Sequence, residues 1–486
     1  MQLPCKSTHL SRKVNLFFSI STQQKHTLPK NELFASILKT LLLQAIKVFG
    51  MTEKDFTGKK VAFFTLGCKL NFSETSTMAR KFTDLGFEKV DFKEVADVYV
   101  VNSCSVTAES DKKSRNMIRS AISRNPNAVM MVTGCYAQLK SADIASIEGV
   151  DYVLGSGEKL NITSYINDLH KAVQPVVQIT DHKKIKDFFT AYSYGDRTRS
   201  FLKVQDGCDY FCTYCTIPIA RGRSRNASIA DTVAEARDIA GRGIKEIILT
   251  GVNIGDFGHT SGETFFDLVK ALDEVEGIER YRISSIEPNL ITDEIIDFVA
   301  QSKRFVPHFH IPLQSGSDDV LALMKRKYKR EVFAHRVQRI KQTMPDAFIG
   351  VDIIAGTNGE TEEFFADSYQ FIESLDVSQL HAFPYSERPD TFALTIPHKV
   401  PVNERKARVQ RYIWLSEQKH RKFYEAFLGQ TRKVLFEEDR KHNRIFGWTD
   451  NYIRVEATWN EKLKNQIVEF YLESINDSGH VEGKII

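Results

Sequence analysis

Residues 207–215 read Gly207-Cys208-Asp209-Tyr210-Phe211-Cys212-Thr213-Tyr214-Cys215 and hold three of the seven cysteines of the 486-residue chain. They follow an apolar run, 201–205, that is typical of a β-strand, so one short loop brings three thiols together. Structural zinc needs four ligands and a disulfide needs two, and this loop offers neither a fourth Cys nor a His. Three thiolates that leave one metal position open are typical of a reactive iron–sulfur cluster.

Three further cysteines, Cys68, Cys104 and Cys135, each end an apolar run that predicts a β-strand. In an open α/β sheet the carboxyl ends of parallel strands meet at one edge, so these thiols are expected to converge. Buried structural thiols are the alternative, because a free cysteine is often part of a core. The same placement three times favours a second open cluster site. The seventh cysteine, Cys5, is assigned no role.

The bulk composition limits the compartment and the partners. Seven cysteines without a secretory signal indicate a reducing, cytoplasmic environment, where clustered thiols serve metal binding or catalysis more often than disulfides. The net charge of +4 is misleading, since residues 1–50 carry seven Lys or Arg and a single acidic residue. The rest of the chain is slightly acidic, so RNA binding cannot be inferred from net charge.

The first residues do not fit the pattern that follows them. Residues 1–58 are predicted to be a leader or a disordered extension, and whether they exist in the mature protein is open. Their apolar stretch, 33–49, is interrupted by two lysines and is too short to predict a membrane span. A basic, acid-poor leader is compatible with an organelle transit peptide. The alternative is an upstream start codon, with Met51 as the true first residue.

From residue 59 onward, apolar strands alternate with helical stretches, which is the pattern of an α/β fold with parallel sheets. Residues 59–170 are predicted to form a parallel α/β domain that carries the first cluster, and 171–198 a polar linker. Six βα units over 199–428 predict a partial (β/α)6 barrel. Alternating apolar residues over 429–486 predict a small antiparallel β-barrel, an architecture that often binds oligonucleotides; a structural cap is the alternative.

The loop of residues 207–215 resembles that of the radical S-adenosylmethionine (SAM) superfamily. The resemblance implies that Cys208, Cys212 and Cys215 hold a 4Fe–4S cluster whose open iron binds SAM through its amino and carboxylate groups. Tyr214 would lie over this cluster or its ligand. Further SAM contacts are implied at successive carboxyl ends of strands: Gly251, Asn253, Glu287, Gln314, Asp352 and Gly356.

Over residues 60–486 the order of the three domains resembles the methylthiotransferases, with a TRAM-like RNA-binding domain at the end. The motifs that carry the resemblance are Leu66-Gly67-Cys68-Lys69-Leu70-Asn71 with Glu74-Thr75, Asn102-Ser103-Cys104-Ser105-Val106-Thr107 and Gly134-Cys135-Tyr136-Ala137-Gln138. They look most like the tRNA threonylcarbamoyladenosine branch, whereas sister branches act on isopentenyl-adenosine or on an aspartate of a ribosomal protein. In one departure from the family, Thr357-Asn358 replace Phe-Pro in the loop before Gly359-Glu360.

The resemblance implies a reaction that uses two 4Fe–4S clusters and two SAM molecules. The cluster held by Cys68, Cys104 and Cys135 would carry an exogenous sulfur on its open iron, and one SAM would methylate that sulfur. The second SAM would be cleaved at the other cluster, and its radical would activate C2 of the adenosine next to the anticodon. A low-potential donor such as a flavodoxin or ferredoxin is implied, with an unknown sulfur donor and no membrane. The non-enzymatic alternative is an iron–sulfur sensor that binds RNA.

RNA contacts must come from local patches of the chain. A basic run after the fourth barrel strand offers Lys325, Arg326, Lys327 and Arg330 as phosphate contacts. Aromatic residues interleaved with basic ones are candidates for base stacking, namely Tyr328, Tyr412, Trp414 and Tyr424. The alternative is an ordinary solvated surface.

Overall fold

The computed structural model describes residues 55–195 and 197–486. Cys5, Met51 and almost all of the predicted leader lie outside the described residues, so the predictions for them stay predictions. No helix in the described ranges combines the length and the apolar character that crossing a bilayer would take.

The first domain is built on a parallel sheet, as predicted, and the sheet has six strands in the order β2-β1-β3-β4-β5-β6. Its strands are β1 Lys60–Thr65, β2 Glu88–Val90, β3 Val98–Ser103, β4 Val129–Gly134, β5 Tyr152–Leu154 and β6 Val176–Gln178. Its helices are α1 Lys69–Thr83, α2 Ala108–Arg124, α3 Cys135–Leu139 and α4 Ser141–Ala145, with a 3-10 segment Lys159–Tyr165. The central strands β3 and β4 are buried on both faces, which explains why they are continuous apolar runs.

Register places the three cysteine-bearing strand ends side by side. Thr65 pairs with Asn102 on the neighbouring strand, and Ser103 pairs with Gly134 on the next. The residues that follow each end therefore come together at the carboxyl edge of the sheet, where the prediction placed them.

The predicted linker 171–198 contributes to both neighbouring domains. Within it, β6 pairs in parallel with β5, and β7 (Ala191–Tyr192) pairs with β8 (Ser200–Lys203) in antiparallel fashion. Residues beyond the boundary predicted at residue 170 thus pair with the sheet of the first domain. The strand β6 was not predicted because it is an exposed edge strand and carries no alternation of buried and exposed residues.

The central domain is the predicted partial barrel. Isolated bridges from Tyr281 to Phe305 and from Ser285 to His310 join its two sheets into one run of six parallel strands. Besides β8, these are β11 Glu246–Thr250, β12 Arg280–Ile283, β13 His308–His310, β14 Phe348–Ala355 and β15 Gln379–Pro384, with a short hairpin of β9 Gln205–Asp206 and β10 Arg225–Asn226. Residues that alternate along the strands form one apolar core with the surrounding helices, which leaves the inward-facing positions free for polar groups.

Eight helices of this domain are described. They are α5 Ile217–Arg221, α6 Ile229–Gly241, α7 Phe265–Asp273, α8 Asp293–Gln301, α9 Asp318–Leu323, α10 Arg330–Thr343, α11 Glu362–Ser374 and α12 Val402–Glu425. Four of them begin at a hydroxyl that accepts a hydrogen bond from the backbone N–H three residues on, namely at Ser228, Thr264, Thr292 and Thr361. The long helix α12 packs against β15 and closes that edge of the barrel.

The C-terminal domain is a closed five-stranded barrel with strand order β16-β17-β18-β20-β19. Its strands are β16 Thr431–Lys441, β17 Arg444–Thr449, β18 Arg454–Thr458, β19 Ile467–Ile475 and β20 Val481–Ile485. One pairing, β18 with β20, is parallel, which the purely antiparallel prediction did not include. Arg280 and Arg282 of β12 donate to backbone carbonyls of this domain, so it is fixed to the amino end of the barrel strands.

Candidate active site

The first cysteine triplet depends on two glycines at strand ends. Gly67 precedes Cys68 with a φ of 101°, and Gly134 precedes Cys135 with a φ of 103°, a region that other residues rarely adopt. A Cβ on Gly67 would lie 2.9 Å from the Cys104 sulfur, and one on Gly134 would collide with the Ser103 carbonyl oxygen. Glycine therefore lets the ends of β1 and β4 approach Cys104 closely.

The three thiols lie near enough to act on one another. Burial and, to a lesser degree, the neighbouring Cys135 and Cys68 together raise the pKa of Cys104 to about 12. Within the described ranges all six cysteines are free, and Cys104 and Cys135 are buried while Cys68 is exposed. Thiols this far from ionising bind a metal only by giving up their protons, which a bound cation favours strongly. Three converging thiols with one open side fit a cluster that has an open iron.

The second triplet comes from the single loop between β9 and α5. Two backbone N–H groups point at its sulfurs, from Tyr210 to Cys208 at 3.5 Å and from Ile217 to Cys215 at 3.4 Å. Burial raises the pKa of Cys208 and of Cys215 to about 12. Hydrogen bonds to cysteine sulfurs tune iron–sulfur sites, so this loop also fits a cluster.

Helix packing connects the segments that carry the two triplets. The helix that begins at Cys135, α3, packs against α5, which follows Cys215 by one residue. Arg221, the last residue of α5, is close enough for Cys135 and Cys68 to raise its pKa, after the larger effects of burial, Glu74 and Asp206. The structure thus brings together residues that are more than 70 positions apart in the chain.

A buried ionic network joins the two domains behind the triplets. Glu74 of α1 accepts from Lys159 at 2.6 Å, Lys203 at 3.0 Å and Arg221 at 3.1 Å. Asp206 pairs with Lys203 and Arg221, both at 2.8 Å. Although burial raises the pKa of Glu74, Arg221 and Lys159 together hold it well below its usual range. The sequence pattern gave no signal for this network, because Glu74 and Arg221 lie 147 positions apart.

Gln205 organises the loop in which SAM contacts were predicted. Its side-chain oxygen accepts from the backbone N–H groups of Val252 and Asn253 at 3.0 and 2.9 Å. Its amide donates to the Gly207 carbonyl at 2.8 Å, which ties the cysteine loop to the loop after β11. Gln205 was not predicted; its place at the end of the strand before the cysteine loop is the only signal. A Cβ on Gly251 would lie 2.9 Å from the same Gln205 oxygen, so the glycine is needed for this approach.

Asn253 offers an unpaired donor to the site. Its side chain is buried, and its amide nitrogen finds no hydrogen-bond partner within residues 55–195 and 197–486. A buried donor without a partner costs free energy unless a ligand satisfies it. This orphaned group fits the predicted contact with SAM.

Arg326 does not lie on the surface, which corrects its prediction as an RNA contact. Its guanidinium is buried, forms an ion pair with Glu287 and donates to the Cys212 sulfur at 3.2 Å. Burial raises the pKa of Glu287, and Arg326 opposes that shift. The predicted SAM contact Glu287 thus lies beside the cysteine loop, where Arg326 orients it.

Asp352 lies in the polar interior of the barrel, between two histidines on neighbouring strands. It accepts from His310 at 2.8 Å and from His381 at 3.2 Å, and although burial raises its pKa, the two histidines hold it below its usual range. The three side chains could hold a cation, since their ligand atoms lie within 4.8 Å of one another. Gln314 adopts a φ of 69° and exchanges backbone hydrogen bonds with Asp352 and Ile354.

The remaining predicted SAM contacts lie farther along the same rim. Gly356 adopts a φ of 77°, and a Cβ there would collide with Arg405 of α12. In the loop that departs from the family pattern, the hydroxyl of Thr357 and the amide oxygen of Asn358 are buried without a partner among the described residues. Tyr214 is half-buried against Tyr385, Ala393 and Ile396, and burial raises its pKa.

Lys69 reaches from the first domain into the barrel. It directly follows Cys68, yet the charges that act on it come from Arg199, Asp352 and Arg282 of the barrel and the phenol of Tyr452 in the C-terminal domain. Burial lowers the pKa of Lys69. Its side chain is only half-buried, so water can still reach it. The contribution of Lys69 to the barrel was not predicted, because the sequence analysis treated Lys69 only as part of the motif around Cys68.

The other predicted RNA contacts differ in their accessibility. Lys325 and Lys327 are exposed, and the Lys327 ammonium lies 4.1 Å from the centre of the Tyr210 ring in the cysteine loop. Arg330 pairs with both carboxylate oxygens of Asp367 at 2.7 Å. Trp414 is exposed, but the other aromatic residues predicted to stack on bases are buried, which corrects that prediction for Tyr328, Tyr412 and Tyr424.

Two family models match parts of the chain. The model described as uncharacterized protein family UPF0004 matches residues 60–155, and the Radical SAM superfamily model matches 202–372. The fold is similar to that of the radical S-adenosylmethionine methyltransferase TsrM from Kitasatospora setae, with a TM-score of 0.51 and 16% identity over 67% of this chain and 73% of that one. At this identity the likeness concerns the fold alone.

Curated relatives match nearly end to end. The chain is 41% identical to the threonylcarbamoyladenosine tRNA methylthiotransferase MtaB of Bacillus subtilis, over 84% of this chain and 92% of the relative. It is 38% identical to MtaB of Aquifex aeolicus, over 82% of this chain and 96% of the relative. The tRNA-2-methylthio-N(6)-dimethylallyladenosine synthase of Bacillus mycoides is 30% identical, over 88% of each chain. This protein therefore belongs to the threonylcarbamoyladenosine tRNA methylthiotransferase family of radical SAM proteins.

Proposed function

We propose that this protein inserts a methylthio group at C2 of N6-threonylcarbamoyladenosine in tRNA, at the position next to the anticodon. The observation that carries the proposal is the packing of α3 against α5, which sets one cysteine triplet beside the other. A sulfur source and a radical source that act on the same carbon atom must be neighbours. Relatives named for this nucleoside reach 41% identity, against 30% for those named for the dimethylallyl nucleoside.

As a radical SAM protein, the chain uses SAM and 4Fe–4S clusters as cofactors. We assign the SAM-binding cluster to Cys208, Cys212 and Cys215, and the second cluster to Cys68, Cys104 and Cys135. When bound, these groups supply radical chemistry at the first site and sulfur at the second. A radical is needed because positioned acids and bases cannot break so inert a C–H bond at neutral pH.

The chain's own residues bind and orient the reactants. The orphaned amide of Asn253 is suited to a polar group of SAM, and the Gln205 side chain holds its loop in place. Arg326 fixes the Glu287 carboxylate and the Cys212 sulfur relative to each other. The polar barrel interior around Asp352 is where the adenosine ring or the SAM adenine would be held.

RNA binding is proposed to use exposed basic residues near the cysteine loop, above all Lys325 and Lys327. We further propose a low-potential electron donor such as a flavodoxin or ferredoxin, and a reaction in the cytoplasm, where tRNA is found. The sulfur donor is not identified. An RNA-binding sensor without catalysis would have no use for two open cluster sites in one chain.

Nucleoside mass spectrometry of tRNA tests the proposal. In a strain that lacks the protein, the methylthio form of threonylcarbamoyladenosine should disappear and its precursor without the methylthio group should accumulate. Expression of the gene from a plasmid should restore the methylthio form. Loss of the methylthio form of the dimethylallyl nucleoside instead would assign the protein to the sister substrate. Iron analysis of anaerobically reconstituted protein should give about eight irons per chain, whereas a single zinc would contradict both cluster assignments.

A further inference from the structure

The interior of the barrel carries many cations, and almost all of them have a partner. Arg282 pairs with Glu246 at 2.7 Å, and Arg199 pairs with Glu437 at 3.1 Å. Other interior cations also form ion pairs. Asp206 pairs with Lys203, Arg221 and Arg225, and Glu287 pairs with Arg326. Each of these charges is compensated before any ligand arrives.

Lys69 is the exception among these cations. Within residues 55–195 and 197–486 its ammonium group has no hydrogen-bond partner and no carboxylate within 4.0 Å. The nearby carboxylate of Asp352 is already bonded to His310 and His381. An ammonium group that is half-withdrawn from water and unpaired costs free energy, and an incoming anion would recover it. Lys69 is therefore poised for an anionic ligand.

The position of Lys69 identifies the part of the reaction that it faces. It is covalently next to Cys68 of the sulfur-donor triplet, and the charged groups that act on it electrostatically belong to the barrel and to the C-terminal domain. The carbon that receives sulfur must come to this same triplet. In adenine, C2 and C6 flank the single ring atom N1, so a substituent on N6 is a close neighbour of C2. A threonylcarbamoyl group on N6 ends in a carboxylate, which makes it an anion beside the reacting carbon.

We propose that the Lys69 ammonium binds the threonyl carboxylate of the substrate and thereby selects the acidic N6 substituent over uncharged ones. This inference rests on the proposed function. A charged hydrogen bond of this kind contributes about 10- to 100-fold in affinity. RNA phosphate, the SAM carboxylate or the cluster itself are other anions that Lys69 could meet, and the experiment separates them from the threonyl group.

The test compares two anticodon stem-loop RNAs that differ only in the charge of the substituent. One carries N6-threonylcarbamoyladenosine and the other its methyl ester, which has no carboxylate charge. Dissociation constants are measured with reconstituted protein without reductant, and kcat/KM is measured with reductant. Wild-type protein should prefer the acid by about 10- to 100-fold. Lys69→Met should reduce this preference to about threefold or less, and Lys69→Arg should keep most of it because a guanidinium also binds carboxylates.

Controls separate the charge of Lys69 from folding and from long-range attraction. Lys113→Met removes one exposed positive charge from α2 and should leave the preference unchanged. The iron content of each variant reports on the neighbouring Cys68 site, and Lys69→Gln is a second neutral variant in case the methionine disturbs it.

The inference is overturned if Lys69→Met keeps the preference for the acid. It is also overturned if the substitution weakens the binding of both RNAs equally, as expected if Lys69 contacts a phosphate, SAM or the cluster. It is also overturned if wild-type protein shows no preference. If wild-type protein fails to methylthiolate the acid RNA at all, the proposed function falls and the inference with it. Methylthiolation by wild type together with an unchanged preference in Lys69→Met overturns the inference alone.

Discussion

The two cysteine triplets are brought together in opposite ways. Cys208, Cys212 and Cys215 lie within eight residues of one loop, and nearby backbone N–H groups already point at two of the sulfurs. The triplet of Cys68, Cys104 and Cys135 spans three strands, and its geometry depends on sheet register and on a glycine before two of the cysteines. A loop site is specified locally, whereas an assembled site is specified by the whole domain. The assembled site should therefore be broken by changes that touch no ligand.

The largest such effect is expected from Gly134→Val. A side chain at this position would collide with the Ser103 carbonyl oxygen, and its φ of 103° strains any residue with a Cβ. The variant should lose about four irons and all methylthiolation, while it still forms 5′-deoxyadenosine. Iron analysis and product quantification check this. As a control, Gly241→Ala sits where nothing lies within 4 Å of the added Cβ and should behave as wild type; a Gly134→Val protein with full iron would contradict the account.

The ionic network behind the triplets gives the next largest effect, on stability. Glu74→Gln removes the carboxylate that three buried cations share, which leaves Lys203 and Arg221 with Asp206 and leaves Lys159 without an ion-pair partner among the described residues. Breaking a buried pair in this way costs about 3–5 kcal/mol. Urea unfolding should show that loss, and Glu425→Gln, which breaks an exposed pair with Arg421, should cost less than about 1 kcal/mol. Equal losses in the two variants would mean that the network does not hold the domains together.

The lowered pKa of Glu74 also predicts how the unfolding free energy changes at acid pH. The pKa of Glu74 is lowered in the folded protein, so its contribution is fully present above the pKa of about 4.3 that it has in the unfolded chain and is lost as pH falls below it. Unfolding free energy measured from pH 7 to pH 3 should fall more steeply in wild type than in Glu74→Gln. Parallel curves would show that Glu74 does not dominate the acid side.

Much of this arrangement could be predicted from sequence, and the limits have a physical cause. The loop triplet, the three strand ends and the α/β architecture follow from local patterns. Arg326, Gln205, Lys69 and the partners of Glu74 could not be placed, because their roles come from contacts between segments that only the folded chain brings together. A basic run in the sequence cannot reveal that one of its members turns inward to pair with Glu287.

The smallest predicted effect concerns RNA binding beside the loop triplet. Lys327 is exposed next to Tyr210, whereas Arg330 is already paired with Asp367. If Lys327 contacts a phosphate, Lys327→Met should reduce the slope of log K against log salt by about 0.7–0.9, and Arg330→Met should change it less. A salt titration of tRNA binding measures both slopes. Equal slopes in wild type and Lys327→Met would remove this residue from the RNA surface.

The division of labour between the triplets is tested most directly by replacing one cysteine of each and measuring both products in one anaerobic assay. Cys104→Ala should still form 5′-deoxyadenosine from SAM but should add no methylthio group to RNA. Cys212→Ala should do neither. Methylthiolated RNA from Cys104→Ala, or 5′-deoxyadenosine from Cys212→Ala, would contradict the assignment of the sulfur donor to the assembled site and of the radical source to the loop.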